Sequence, residues 1–212
     1  MSDLILAVDA YWISPYALSV FVALEEKGLP YTVREVALQD KAHHAPSYTA
    51  RTGRVPSLQH GDYVLAESSA IAEYLAETFP FPKYPRLFPE DLKQRGIARE
   101  IMAWVRSDLM PIRDERSTHT MFYTRATAPL SPKAQAAAKR LVDGVSQLIR
   151  PGKTTLFEQW CLADTDLGVM LQRLNLNGDP LPKALATYAQ ANWERPSVQK
   201  WVKRTRPPYV AY

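Results

Sequence analysis

The chain has a single cysteine, Cys161, in 212 residues. One cysteine excludes an internal disulfide and suits a reducing, cytosolic compartment. No apolar run approaches the ~20 residues that a membrane-spanning helix needs. No basic segment followed by a long apolar run opens the sequence, so no signal peptide is expected. Lys and Arg outnumber Asp and Glu by only 26 to 22 and are scattered. Without a basic cluster interleaved with aromatics, nucleic acid is not an expected partner. Cys-x-x-Cys is missing, which argues against dithiol exchange. No further ligand joins the adjacent His43 and His44, so no metal is expected. What remains is a soluble globular chain, long enough for a well-buried core. Its slight positive excess favours small anionic ligands.

The first eighty residues alternate strand and helix signals. Leu4–Val8 is a short apolar run and reads as a buried strand. Ser14 and Pro15 then open a helix over Pro15–Lys27, and Gly28 and Pro30 close it. Tyr31–Leu38 alternates and reads as a second strand, followed by a long polar connection from Gln39 to Arg54. Ser57–His60 and Tyr63–Ala66 are short strands joined at Gly61-Asp62, and Ser68–Phe79 is helical again. The order β-α-β, connection, β-β-α predicts an α/β domain over 1–80 with a mixed sheet beneath helices. "FPFPKYPRLFP" cannot form regular structure and supplies a linker over 81–89. An all-helical domain is expected over 90–212. Its segments are Glu90–Glu115, Pro132–Arg150, Ala163–Asn175, Pro182–Asn192 and Ser197–Arg204.

Three stretches carry chemistry. Ser14 caps a helix just past a strand, where a hydroxyl also holds an anion or a thiolate. In Arg54-Val55-Pro56 the proline opens a strand; a cis bond there would turn the Val55 N–H and C=O outward, toward an extended peptide. Glu67-Ser68-Ser69 opens a helix directly after a strand. It reads as a helix cap, and equally as a receptor for an amino-acid head group: hydroxyl and N–H groups for the carboxylate, Glu67 for the ammonium. A short anionic peptide carrying a thiol would use all three.

The order Ser14, Arg54-Val55-Pro56-Ser57-Leu58 and Glu67-Ser68-Ser69-Ala70-Ile71 resembles the soluble glutathione transferase family, in its bacterial theta/zeta-like serine-type members. The resemblance covers essentially the whole chain. It implies an N-terminal thioredoxin-like domain with a mixed four-stranded sheet, a C-terminal helical bundle and a homodimer. Glutathione is the implied co-substrate, without a metal, and the second substrate is a small hydrophobic electrophile or a peroxide. Ser14 would face the sulfur, with Arg54, Val55, Glu67 and Ser68 around the tripeptide. His43-His44-Ala45-Pro46 resembles a theta-type glycine-carboxylate site, or is solvated loop. The electrophile would sit between the domains, against Tyr11, Trp12, Ser107 and Pro111. Arg106 and Asp108 could form a pair of their own.

Trp160-Cys161-Leu162-Ala163-Asp164 resembles the family's helix-capping motif, with Cys161 in place of the usual serine or threonine and Asp164 reaching back. Cys161 is thus expected to be a packing residue. The zeta-type Ser-Ser-Cys after the first strand is absent, which argues against maleylacetoacetate isomerisation. Two alternatives share the first domain: a noncatalytic protein that binds a partner, and a glutathione-dependent dehalogenase or ether-cleaving enzyme.

Overall fold

The computed structural model describes residues 3–211. They form two compact units: one runs to Leu87 and takes in the segment from Lys200 onward, and the other is Phe88–Gln199. The first contains β1 (Leu4–Asp9), α1 (Pro15–Lys27), β2 (Thr32–Val36), β3 (Ser57–His60), β4 (Tyr63–Ala66) and α2 (Ser68–Thr78). The strands lie in the order β2-β1-β3-β4, with β1 parallel to β2 and antiparallel to β3, and β4 antiparallel to β3. This is the mixed four-stranded sheet expected from the sequence.

The local reasons are those the residues suggest. Ser14 Oγ accepts from Ala17 N at 3.2 Å, Pro15 stands at the first turn, and Gly28 at φ 63° ends α1. Ala17 to Leu24 are all buried, since this helix is apolar on every side. Lys27, itself buried, donates to the Phe79 and Pro85 carbonyls at 2.6 and 3.0 Å, which fastens the proline-rich stretch to the first unit. Burial pulls that ammonium below the usual lysine range.

Register decides where the connections meet. Ala7 pairs with Ser57, Ser57 with Ala66, and Asp9 with Val36. The ends of β1, β2 and β4 and the start of β3 therefore lie at one end of the sheet. The β1–α1 turn, the β2–β3 connection and the start of α2 all leave from that end.

The second unit contains α3 (Leu92–Ser107), α4 (Met110–Glu115), α5 (Thr118–Phe122), α6 (Pro132–Val145), α7 (Leu162–Asn175) and α8 (Lys183–Trp193), followed by α9 (Pro196–Val202). Helix α7 is buried over nearly its whole length. At its start the buried Asp164 accepts from Cys161 N (2.8 Å), Leu156 N (2.7 Å) and Tyr188 Oη–H (2.8 Å). Cys161 is a buried, unpaired thiol whose pKa burial pushes up, which fits packing rather than nucleophilic chemistry. Gly168 permits the α7–α8 approach: a Cβ there would stand 2.9 Å from Asn192 Cβ. Buried Arg116 forks onto Asp179 at 2.6 and 2.8 Å, tying the end of α4 to the loop after α7.

The structure departs from the sequence expectation in three places. The single helix expected over Glu90–Glu115 is broken at Leu109, which takes a left-handed φ of 62° before α4 restarts with Pro111 in its first turn. Helix α5 was not expected; its five residues show no apolar period long enough to read. The segment from Lys200, expected with the helical domain, belongs to the first unit. Its Trp201 ring is fully buried, 4.6 Å from Trp12 and 5.4 Å from Phe21.

Among the described residues no helix is long and apolar enough to cross a membrane.

Candidate functional site

The β1–α1 turn is held from its strand end. Asp9, 1% exposed, accepts from Ile13 N at 2.8 Å and Ser14 N at 2.9 Å, one per carboxylate oxygen. Burial pushes its pKa up, while those two N–H groups and the positive charge of Arg206 pull against it. Between them Trp12 sits at φ 52°, a left-handed conformation that costs a bulky residue roughly 1–2 kcal/mol. Trp12 Nε1 donates to Glu35 Oε1 at 2.7 Å. Ser14 Oγ accepts the cap bond from Ala17, so its own hydrogen is left to give, and it has no acceptor among the described residues.

The β2–β3 connection contains a single helical turn over Ala42–His44. The His43 and His44 rings stand 3.9 Å apart, and His43 Nδ1 is buried without a partner among the described residues. Burial, then His44, hold the His43 imidazole below its usual range. Tyr48 Oη–H donates to Arg54 O at 2.6 Å and lies 3.0 Å from Ser57 Oγ, bracing the approach to β3. The Val55–Pro56 bond is cis. The Val55 N–H and C=O and the exposed Arg54 guanidinium take no hydrogen-bond partner among the described residues.

At the third connection Glu67 has φ 70° and ψ 115°, and Ile71 N donates to its carbonyl. A non-glycine residue there stores on the order of 1–3 kcal/mol. The expected side-chain cap does not form: no side chain caps α2, and the Glu67 carboxylate is exposed. The helix start thus presents its partial positive charge without a side-chain cap. Ser68 is buried beside it.

The register brings Ser14, Val55, Glu67 and Ser68 to one end of the sheet, and the loop bearing His43, His44 and Arg54 starts and finishes there. Tyr11 and Trp12 are 3% and 2% exposed, so neither ring lines an open pocket. Ser107 lies in the second unit at the end of α3, where its hydroxyl donates to Ala103 O at 3.0 Å; Pro111 is in the first turn of α4. Arg106 and Asp108 do not pair with each other: Arg106 pairs with Asp166 and Asp108 with Arg140. Among the described residues no group of three His, Cys, Asp or Glu is set to hold a metal ion.

Sequence reasoning missed two contributors. Asp9 carried a readable signal, a carboxylate ending an apolar strand just before a helix cap. The C-terminal segment carried a weaker one, aromatics and prolines in "RTRPPYVAY".

The profile of the glutathione S-transferase N-terminal domain matches residues 13–78, and that of the C-terminal domain matches residues 91–206. A glutathione transferase homolog from Burkholderia gl BGR1, solved with bound glutathione, is 41% identical with a TM-score of 0.80. That comparison covers 94% of this chain and 96% of the other. Glutathione S-transferase Z1 of Arabidopsis thaliana is 27% identical, over 95% of this chain and 93% of its own. Glutathione S-transferase theta-3 of Mus musculus is 27% identical over 62% of this chain and 55% of its own, so the chain spans about half of that relative. With both profiles matched, and a 41% identical structure aligned along nearly all of it, the chain belongs to the glutathione S-transferase family.

Proposed function

We propose that the chain conjugates the thiolate of glutathione to small hydrophobic electrophiles and reduces peroxides with the same thiolate, as a cytosolic homodimer. One observation carries the reading. Polar groups that lack partners among the described residues, namely the Ser14 O–H, the Val55 N–H and C=O, the Arg54 guanidinium and the Glu67 carboxylate, belong to connections leaving one end of the sheet. In this reading Val55 pairs with the peptide backbone and Glu67 accepts from the α-ammonium. Ser68 and the start of α2 hold the α-carboxylate. Arg54, with His43 and His44, meets the second carboxylate.

Ser14 donates to the sulfur. A free thiol with a pKa near 8.5 is about 3% thiolate at pH 7. Lowering that value by about two units takes ~2.7 kcal/mol of preference for the anion. One hydrogen bond to a charged group contributes ~1.5–3 kcal/mol, and the start of α1 adds about 0.3–1 kcal/mol. These terms suffice without a general base. The thiolate then forms the S–C bond as the leaving group departs, or forms an S–O bond to a peroxide oxygen as the O–O bond breaks and the alkoxide leaves to take up a proton. A second glutathione then displaces water from the sulfenic acid to give the disulfide.

The test is calorimetric titration of the protein with glutathione, alongside the Glu67→Ala, Ser68→Ala double variant. Binding to the wild type that is lost in the variant is the expected result. A wild type that binds no glutathione overturns the reading and leaves a noncatalytic partner-binding protein on this fold.

A further inference from the structure

We propose that Arg206 is a positioning residue for the Ser14 hydroxyl, holding the β1–α1 turn through the main chain of Trp12. The inference rests on the reading of Ser14 as hydrogen-bond donor to the glutathione sulfur.

Arg206 lies 194 residues from Trp12 in sequence, yet its Nε and Nη2 donate to the Trp12 carbonyl at 3.2 and 3.1 Å. The rest of the guanidinium is spent on its own segment. Nη1 donates to Val202 O (2.9 Å) and Arg204 O (3.0 Å), and Nη2 also to Trp201 O (3.0 Å). The fork thus joins the carbonyls of Trp201 and Val202, at the end of α9, to one carbonyl of the turn. The same segment grips the turn elsewhere. Arg204 stands 3.7 Å over the Trp12 ring, Tyr209 is 5.1 Å from Tyr11, and Val210 N donates to Tyr11 Oη at 3.3 Å.

The turn needs holding from two sides. Asp9 takes the N–H groups of Ile13 and Ser14, and Arg206 takes the C=O of Trp12. Between the two grips lies Trp12, in a left-handed conformation that its side chain disfavours. The charged groups facing the turn are Asp9, Glu35, Arg204 and Arg206. Releasing the carbonyl lets Trp12 relax, and Ser14 is two residues further on. A hydroxyl displaced by a fraction of an ångström loses much of a charge-assisted hydrogen bond.

The experiment is a double-mutant cycle on the full chain, read by the ultraviolet absorbance of the thiolate of bound glutathione as a function of pH. Arg206→Gln is expected to raise the thiol midpoint by about one unit, a tenfold loss of preference for the anion. Turnover should fall to match, with the KM for glutathione within about twofold. In a Ser14→Ala background the same substitution should change neither. Arg206→Lys, which keeps a donor but not the fork, should fall between wild type and Arg206→Gln, and it serves if the glutamine variant does not fold. An equal loss in both backgrounds, or an unmoved midpoint in Arg206→Gln and Arg206→Lys, overturns the role of Arg206. A wild type that binds glutathione without lowering its thiol midpoint overturns the underlying reading of Ser14 instead.

Discussion

The β1–α1 turn and the connection between β2 and β3 leave the same end of the sheet, and they are built on opposite lines. In the turn the groups on either side of Trp12 are pinned. Asp9 accepts two backbone N–H groups, Trp12 donates to Glu35, and Arg206 donates to the Trp12 carbonyl. The hydroxyl hydrogen of Ser14 has no acceptor among the described residues. In the connection the pattern is reversed: His43 Nδ1 and Gln39 Oε1 are buried without partners among the described residues, and the Arg54 guanidinium is free and exposed. A group that must meet a reacting atom gains from a fixed position, because misplacement costs rate. Groups that bind a distal carboxylate gain less from fixed positions, since Coulomb attraction falls off gently with distance. Under the proposed function, the contrast separates a part that would set chemistry from a part that would set affinity.

Three substitutions break or sharpen that contrast. The largest effect belongs to Asp9→Ala. It orphans the N–H groups of Ile13 and Ser14, at ~1–3 kcal/mol each. Removing a buried carboxylate whose pKa is already raised gives part of that back. A net loss of ~2–4 kcal/mol follows, or roughly 5–15 °C in Tm for a chain of this size, read by thermal unfolding. A drop below about 2 °C would mean that the turn is not organised by Asp9.

Ser14→Ala comes next. Turnover should fall ~10- to 150-fold, the worth of one hydrogen bond to a charged group, while the KM for glutathione stays within about twofold. Loss of the cap should cost ~1 kcal/mol of stability. Parallel losses in kcat and affinity would make Ser14 a binding residue like those of the connection.

The smallest effect is expected at His43. Its imidazole is held below the usual range, so the folded chain binds that proton less readily than the unfolded chain. This part of the stability is complete above about pH 6.5 and drains away as pH falls below it. His43→Leu should flatten that acid limb. In the wild type, glutathione should raise the His43 midpoint in an NMR titration, because a carboxylate nearby favours the imidazolium. An unchanged midpoint removes His43 from the site.

What the residues disclosed in advance follows a physical line. The strands, the cap at Ser14, the glycine stop at Gly28 and the hairpin at Gly61-Asp62 are short-range features. Each depends on a few neighbouring residues, and each stands where those residues put it. The break at Leu109 was hidden, since nothing about leucine announces a left-handed residue. The missing cap on α2 was hidden too: Glu67 and Ser68 are suitable types, and only the backbone angles show that the cap does not form. The grip of the last residues on Trp12 spans nearly the whole chain, and no local pattern encodes a partner at that distance. The same holds for Tyr11 and Trp12, whose rings are covered by a segment that sequence order assigns to the other domain.

The β3–β4 hairpin acts as a gauge block. Its strands are four residues each, joined by a turn at the far end where Gly61 has φ 60°. One residue inserted within either strand would move its tip ~3.4 Å and turn its side chains to the opposite face. Pro56 and Glu67 would then lose their common level with Asp9. Residues added at Gly61-Asp62 would lengthen only the remote end. The hairpin is thus open to insertion at its tip and closed to it along its sides, and loop grafting or tagging of this chain should begin at that tip.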